Sequence, residues 1–134
     1  MAAWLPLRDA GGVVSHESAL ELYDLSDVIP AAVHISLSRS KRGQRSRTGV
    51  RLHTPAKPPG PGEVRTLAGM EVTTPERSIV DALEGGVQLE QIELAVRQAL
   101  DRGLSTPRRL RAVASSRSAR IRRFAESALD EAAT

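Results

Sequence analysis

The sequence predicts an α+β fold: a small, mostly antiparallel sheet of about four strands, flanked by an N-terminal helix and three or four C-terminal helices. Apolar Val33, Ile35 and Leu37 alternate with polar residues, which is typical of a strand with one buried face. After residue 74, apolar residues instead recur every three or four positions, as on the buried side of a helix. The 134 residues, 40% of them hydrophobic, suit one core, so we expect a single domain over residues 1–134.

The N-terminal part is predicted to be a helix followed by two strands. Residues 2–25 are predicted to be helical, with the Ser15 hydroxyl capping a helix N-terminus. Segments 33–38 and 50–53 are predicted strands. Between them, segment 38–49 contains basic residues and glycines but no acid, so an exposed basic hairpin loop is expected there.

A proline-rich connector and a strand pair complete the predicted sheet. The prolines of segment 55–62 cannot donate strand hydrogen bonds, so this segment is expected to be a stiff connector, although its composition also suits a proline-rich ligand. Strands at 63–67 and 70–73 are predicted to pair and to turn at Ala68-Gly69.

Helix-start and helix-stop residues predict the C-terminal half. A Thr-Pro pair favours a helix start, because the hydroxyl caps backbone N–H groups and proline lacks an N–H that would be unpaired there. The predicted helices run from Thr74-Pro75 to Gly85-Gly86, from Leu89 to Gly103, from Thr106-Pro107 onward, and from Ser116 toward the C-terminus. On the last helix, Arg122 and Glu126 are expected to form a surface ion pair.

The chemistry-bearing residues predict no enzyme. There is no cysteine, which excludes disulfides and thiol nucleophiles. His16, His34 and His53 are far apart in the chain and lack metal-ligand spacing. No glycine cluster matches a phosphate-binding loop, and Ser15-His16 has no acid placed to orient the imidazole. We therefore expect no catalytic residue, no metal and no cofactor.

The same composition predicts a cytoplasmic protein without a membrane partner. No apolar run approaches the ~18–20 residues that span a bilayer. The N-terminus lacks the charged start and long apolar stretch of a signal peptide.

Charge is segregated along the chain, although the net charge is only +3. Segments 39–57 and 102–123 carry basic residues and no acid, whereas 9–27 carries acids and no base. Two interpretations stay open: a face that binds phosphates or an acidic protein, or neutralisation of the two signs within the fold. The candidate residues for nucleic-acid or partner binding are Arg39, Lys41, Arg42, Arg45, Arg47, Arg51, Arg108, Arg109, Arg111, Arg117 and Arg120.

Five strings occur in an order and spacing typical of one family. They are GVVSHESAL at 12–20, LSDVIP at 25–30, HISL at 34–37, VTTPERSIVD at 72–81 and ALDRGL at 99–104. Together they resemble the C-terminal domain of AbiEi antitoxins of abortive-infection toxin–antitoxin systems. The residues that carry the family motif are Ser15, His16, Glu17, Thr74, Pro75, Arg77 and Asp81.

The resemblance implies a non-enzymatic antitoxin. Its partner would be a cognate nucleotidyltransferase toxin, antagonised directly or indirectly, and the family usually represses its own operon. The usual N-terminal winged helix has no room before residue 2 of this sequence. The alternative is a DNA-binding transcriptional regulator that contacts the phosphate backbone of operator DNA through its basic face. Arg77 and Asp81, four apart on a predicted helix, are expected to pair.

Overall fold

Residues 11–38 and 49–133 are described by a computed structural model, and they form the predicted α+β fold. The strands are β1 Val13–Val14, β2 Val33–Ser36, β3 Val50–His53, β4 Val64–Leu67 and β5 Met70–Thr73. The helices are α1 His16–Leu22, α2 Pro75–Glu84, α3 Leu89–Asp101, α4 Pro107–Ala114 and α5 Ala119–Ala132, and a 3-10 turn spans Pro61–Glu63. A helix before the main part of the sheet and four after it agree with the prediction.

The sheet has five strands in the order β3-β2-β1-β5-β4, and it is mixed. The pairs β1–β2 and β4–β5 are antiparallel, and the latter confirms the predicted pair turning at Ala68-Gly69. The pairs β1–β5 and β2–β3 are parallel. The prediction of a basic hairpin between β2 and β3 is therefore wrong, because a hairpin joins antiparallel strands and a parallel pair needs a crossover. Residues 39–48 of that connection lie outside the described part.

The prediction of a helix over residues 2–25 is wrong at residues 13–14 and after residue 22. Val13 and Val14 form the central strand β1, and Val14 is fully buried between Ile35 and Val72. Branched side chains fit this pleated, buried position better than a helix. Residues 2–10 lie outside the described part.

The predicted Thr-Pro helix starts are confirmed. The Thr74 hydroxyl accepts a hydrogen bond from the Arg77 N–H at 3.4 Å, and the Thr106 hydroxyl accepts one from the Arg109 N–H at 3.2 Å. Gly103 ends its helix in the left-handed region, at φ 70°, as predicted.

The predicted cap of the last helix is wrong by two residues. The Ser118 hydroxyl accepts from the Ile121 N–H at 3.4 Å, so Ser118 is the cap of α5. Ser116 instead donates its hydroxyl to the Val113 carbonyl in the last turn of α4, at 3.2 Å.

Helix α2 is the centre of the fold. Every residue from Pro75 to Leu83 is buried, because α2 packs against α1 on one side and against α3, α4 and α5 on the others. The largest fully buried side chains are Leu20, Leu25, Ile35, Leu37, Ile79, Ile92, Leu110 and Ile121. Within the described residues, no helix is both long and apolar enough to cross a bilayer.

Candidate functional site

The three histidines meet in space. The rings of His16 and His53 are stacked with centroids 3.7 Å apart, and the His34 ring lies 5.2 Å from that of His53. His34 Nδ1 and His53 Nε2 are 2.9 Å apart. Their distance along the chain therefore gave no sign that they are neighbours in the fold. They converge because the parallel pairing of β2 with β3 places Ser36 opposite His53, so that His34, two residues earlier on β2, lies diagonally across from His53.

Two buried serines form hydrogen bonds beside the histidine stack. The Ser15 Oγ lies 2.8 Å from His16 Nδ1 and accepts a hydrogen bond from the Ser36 hydroxyl at 2.7 Å. Ser15 is fully buried and makes no capping hydrogen bond, so the prediction that its hydroxyl caps α1 is wrong. His16 itself adopts a left-handed backbone at φ 55°, a conformation that costs an L-residue about 1 kcal/mol.

The stacked imidazoles are neutral at neutral pH. Burial, helped by the neighbouring imidazoles, lowers the pKa of His16 to about 3, and burial lowers the pKa of His53 to about 4. The pKa of His34 is also lowered, again chiefly by burial. The cluster therefore offers uncharged hydrogen-bonding groups. Within the described residues, no group of three His, Cys, Asp or Glu side chains could hold a metal ion.

A buried arginine cross-links the segments next to this stack. Arg77, 3% exposed, donates from Nε to both carboxylate oxygens of Asp81 at 3.0 and 3.1 Å, which confirms the predicted pair. Its other nitrogens reach the Glu63 carboxylate at 3.2 Å and the Lys57 carbonyl at 2.8 Å. Arg77 thus ties α2 to the proline-rich connector and to the 3-10 turn.

A second arginine enters the same network from the α4–α5 junction. Arg117 donates to Asp81 at 2.9 Å and to Glu84 at 3.2 Å. Burial raises the pKa of Asp81, while the guanidinium groups of Arg77 and Arg117 oppose that rise. Both carboxylate oxygens accept charge-assisted hydrogen bonds, so Asp81 is ionised at neutral pH.

A groove runs past the stack and the network. One depression of about 380 Å³ is lined by His16, His53, Asp81 and Gly85, among others. A second, of about 300 Å³, has Arg77 in its wall. The two adjoin, because Pro55 and Glu84 line both. Three basic groups, Lys57, Arg77 and Arg117, and three acidic groups, Glu63, Asp81 and Glu84, line the groove, so its charges balance.

The residues that carry the family motif lie in or directly before α1 and α2, and these two helices pack against each other. His16 approaches the end of α2 closely: a Cβ added at Gly85 would lie 3.5 Å from its ring. Arg77 and Asp81 are inside the ionic network, and Glu17 is half-buried in the first turn of α1. Thr74 and Pro75 start α2. Segments about 60 residues apart in the chain therefore meet, which no local spacing signals.

The basic candidate residues divide into three groups. Arg39, Lys41, Arg42, Arg45 and Arg47 lie outside the described residues. Arg111 and Arg117 are ion-paired within the fold, Arg111 with Glu126 at 2.8 Å. Arg51, Arg108, Arg109 and Arg120 are exposed, and none has an ion pair with a described residue.

Neutralisation within the fold therefore applies to some of these residues, and the binding face stays a prediction for the others. Some arginines are neutralised within the fold, and others face solvent.

The expected Arg122–Glu126 pair is wrong, because Glu126 binds Arg111 from α4 and Arg122 donates to the Arg117 carbonyl at 2.6 Å.

Comparison with known proteins identifies no family for this chain. No family model matches the sequence, and no curated protein matches it. The resemblance to AbiEi antitoxins stays a prediction from the strings named above.

Proposed function

We propose that this chain is a cytoplasmic, non-enzymatic antitoxin that antagonises a nucleotidyltransferase toxin. The observation that carries the proposal is the use made of the motif residues. Ser15, Arg77 and Asp81 are buried, and their polar groups are hydrogen-bonded inside the protein: Ser15 to Ser36, and Arg77 to Asp81 and to the Lys57 carbonyl. Groups that attack or bind a substrate must reach it. Because the polar groups of these motif residues are hydrogen-bonded inside the protein, they are not free to act on a substrate, which favours a binding module over an enzyme.

The histidine stack also suits a structural role. Its serine, Ser15, is fully buried, so it cannot act as a nucleophile on an external substrate. Within the described residues, the acids nearest the groove, Asp81 and Glu84, are paired with arginines. No acid among the described residues hydrogen-bonds a ring nitrogen of His16 or His53, as an acid orienting a catalytic base would.

Co-expression with the nucleotidyltransferase encoded beside this reading frame tests the proposal. The toxin alone should arrest growth, and induction of the chain should restore colony formation. A toxin variant that lacks its catalytic carboxylates controls for expression load. Growth arrest that persists at full expression of the chain would contradict the proposal.

A second candidate function, binding of the DNA backbone, is favoured by exposed arginines that have no ion pair with a described residue. Arg108 and Arg109 lie in the first turn of α4, and Arg120 lies in that of α5, where neither helix has an acid. Helix N-termini attract anions, and arginines there cost helix stability unless an anion is near.

Mobility shifts with DNA upstream of the reading frame, over a salt series, test this second function. Phosphate contacts should make the logarithm of the binding constant fall linearly with that of salt, with a slope of about 0.9 per contact. Joint replacement of Arg108, Arg109 and Arg120 by alanine should reduce the slope by up to about 3. The matched control, Arg111→Ala, removes a paired arginine and should leave it unchanged. No shift at ~50 mM salt would rule out this function.

A further inference from the structure

Strand β3 is attached to the described fold by one short ladder and by the histidine stack. It is at the edge of the sheet, with a paired neighbour on one side only, and it packs mainly against that neighbour, β2. At the two ends of the ladder, the Val33 N–H donates to the Gly49 carbonyl at 2.7 Å and the Leu37 N–H donates to the His53 carbonyl at 2.8 Å. An element with so few neighbours opens at a lower free energy than the core of a domain.

The histidine stack joins the carboxyl end of β3 to two other elements. His53 is the last residue of β3, and its ring stacks at 3.7 Å on that of His16, the first residue of α1. The same ring is 2.9 Å from His34 Nδ1 on β2. His16 has a left-handed backbone, at φ 55°, which persists in a non-glycine residue where the surroundings enforce it. The stack therefore holds β3 and the start of α1 in place together.

Each hydrogen bond of the stack uses a ring nitrogen that carries no proton. The Ser15 hydroxyl accepts from Ser36, so its own proton is left to donate to His16 Nδ1. Between His34 Nδ1 and His53 Nε2, one nitrogen has to be the acceptor. Doubly protonated rings have donors at all of these positions, and two imidazolium charges stacked at 3.7 Å repel each other. The closed stack therefore requires neutral rings.

The positive groups around the stack strengthen this requirement. Burial is the main reason why the pKa values of the three imidazoles are low, and arginines lower them further. Arg51 of β3 acts on His34 and His53, and Arg77 and Arg117 act on His16.

The negative groups near the stack do not offset an added proton. Glu17 of α1 raises the pKa of His34, but burial of that ring outweighs it. Asp81 and Glu84 line the same depression as His16 and His53, and both are already paired with arginines.

We infer that the histidine stack is a pH-dependent lock on edge strand β3: neutral rings hold the strand against β2 and α1, and protonated rings release it while the helices stay folded. Release is local because helices α2 to α5 pack mainly on one another. It uncovers the outer edge of β2 and removes Leu52, His53 and Thr54 from the wall of the groove. The chain therefore has a face that is covered at neutral pH and exposed in acid, whatever its partner is.

Amide hydrogen exchange of the full chain, followed by NMR at pH 7 and pH 5, tests this inference. Each rate is divided by the intrinsic rate of an unstructured peptide at the same pH. Release of one imidazole, from a pKa of about 4 to the ordinary 6.5, should lower the protection of the Val33 and Leu37 amides by about 10-fold to 20-fold. Two amides serve as internal references, and their protection should change much less. The Ser15 N–H donates to the His34 carbonyl on the β1 side of β2, and the Ser78 N–H donates to the Thr74 carbonyl in α2.

Two variants assign the effect to the stack. His53→Gln cannot be protonated, so it should remove most of the pH-dependent loss of Leu37 protection. Thr66→Gln places the same side chain at an exposed position on the other edge strand, β4, and should leave that loss unchanged.

The wild-type measurement decides the inference even where a variant fails to fold. Equal protection of Leu37 at pH 7 and pH 5 overturns the lock. A loss that Ser15 and Ser78 share in equal proportion is unfolding of the whole domain, and it overturns local release. A loss that persists in folded His53→Gln belongs to another titrating group and overturns the role of His53.

Discussion

Acidification should destabilise this protein through its histidine stack before its carboxylates titrate. The folded protein holds the pKa of His16 at about 3 and that of His53 at about 4, against 6.5 for an unburied imidazole. Below pH 6.5 and above these folded-state pKa values, His16 and His53 therefore bind protons in the unfolded chain but not in the folded protein. Stability from these residues is complete above pH 6.5 and is lost as the pH falls toward the folded pKa values.

The size of the effect follows from the linkage relation. One pKa unit corresponds to about 1.4 kcal/mol, so between pH 6.5 and 5 each of the two histidines could remove up to about 2 kcal/mol. Both rings are partly exposed, and solvent screening reduces the joint loss to about 2–3 kcal/mol. A domain of this size has about 5–15 kcal/mol in total, so this loss is readily measured.

Urea unfolding followed by circular dichroism at pH 7 and at pH 5 is the assay. His53→Gln keeps a polar side chain but cannot titrate, so it should lose about 1 kcal/mol less than wild type on going to pH 5. The comparison of His53→Gln with wild type is needed because Asp81 has the opposite effect on stability. Its raised pKa means that it binds a proton more readily in the folded protein than in the unfolded chain, which favours the folded state as the pH falls.

All three histidines of the chain are in the stack, so the control must add one elsewhere. Ala112→His places an imidazole on the exposed surface of α4, where the pH dependence should match that of wild type. The reasoning is refuted if wild type is equally stable at both pH values, or if His53→Gln loses as much stability as wild type.

Two further predictions concern the ionic network and a helix end. Arg77→Ala should lower the free energy of unfolding by about 3 kcal/mol, because it leaves the buried Asp81 carboxylate with one arginine instead of two. The exposed pair of Arg111 with Glu126 gives the contrast: Arg111→Ala should cost under about 1 kcal/mol, and similar losses in both variants would contradict the buried network. Gly103→Ala should cost about 1 kcal/mol in the same urea assay, since Gly103 has φ 70° and an alanine there is strained; a neutral result would show that this helix end relaxes.

The helical part of the fold was predictable because its signals are local. Thr74-Pro75 and Thr106-Pro107 affect only the first turns of their own helices. The spacing of apolar residues in α2 and α3 can likewise be read from a short stretch of the sequence. Ser118 was missed in favour of Ser116 because both can cap, and only the course of the chain after α4 decides between them.

The sheet and the candidate site depend on pairings that a local pattern does not contain. Alternation identified β2 and β3 as strands, but it is the same for parallel and antiparallel neighbours. The hairpin prediction failed at that step, and the histidine stack was missed with it. Once β2 and β3 are parallel, His34 and His53 become neighbours, and the start of α1 brings His16 to them.

Burial explains why the charge segregation of the sequence survives only in part on the surface. Arg77 and Arg117 are drawn inward because Asp81 lies on the buried side of α2 and needs cations near it. The arginines at the starts of α4 and α5 are among the charged residues that stay exposed. The DNA-binding prediction therefore depends on which arginines are paired. Joint replacement of Arg108, Arg109 and Arg120 should weaken DNA binding, whereas replacement of Arg111, which is paired with Glu126, should not.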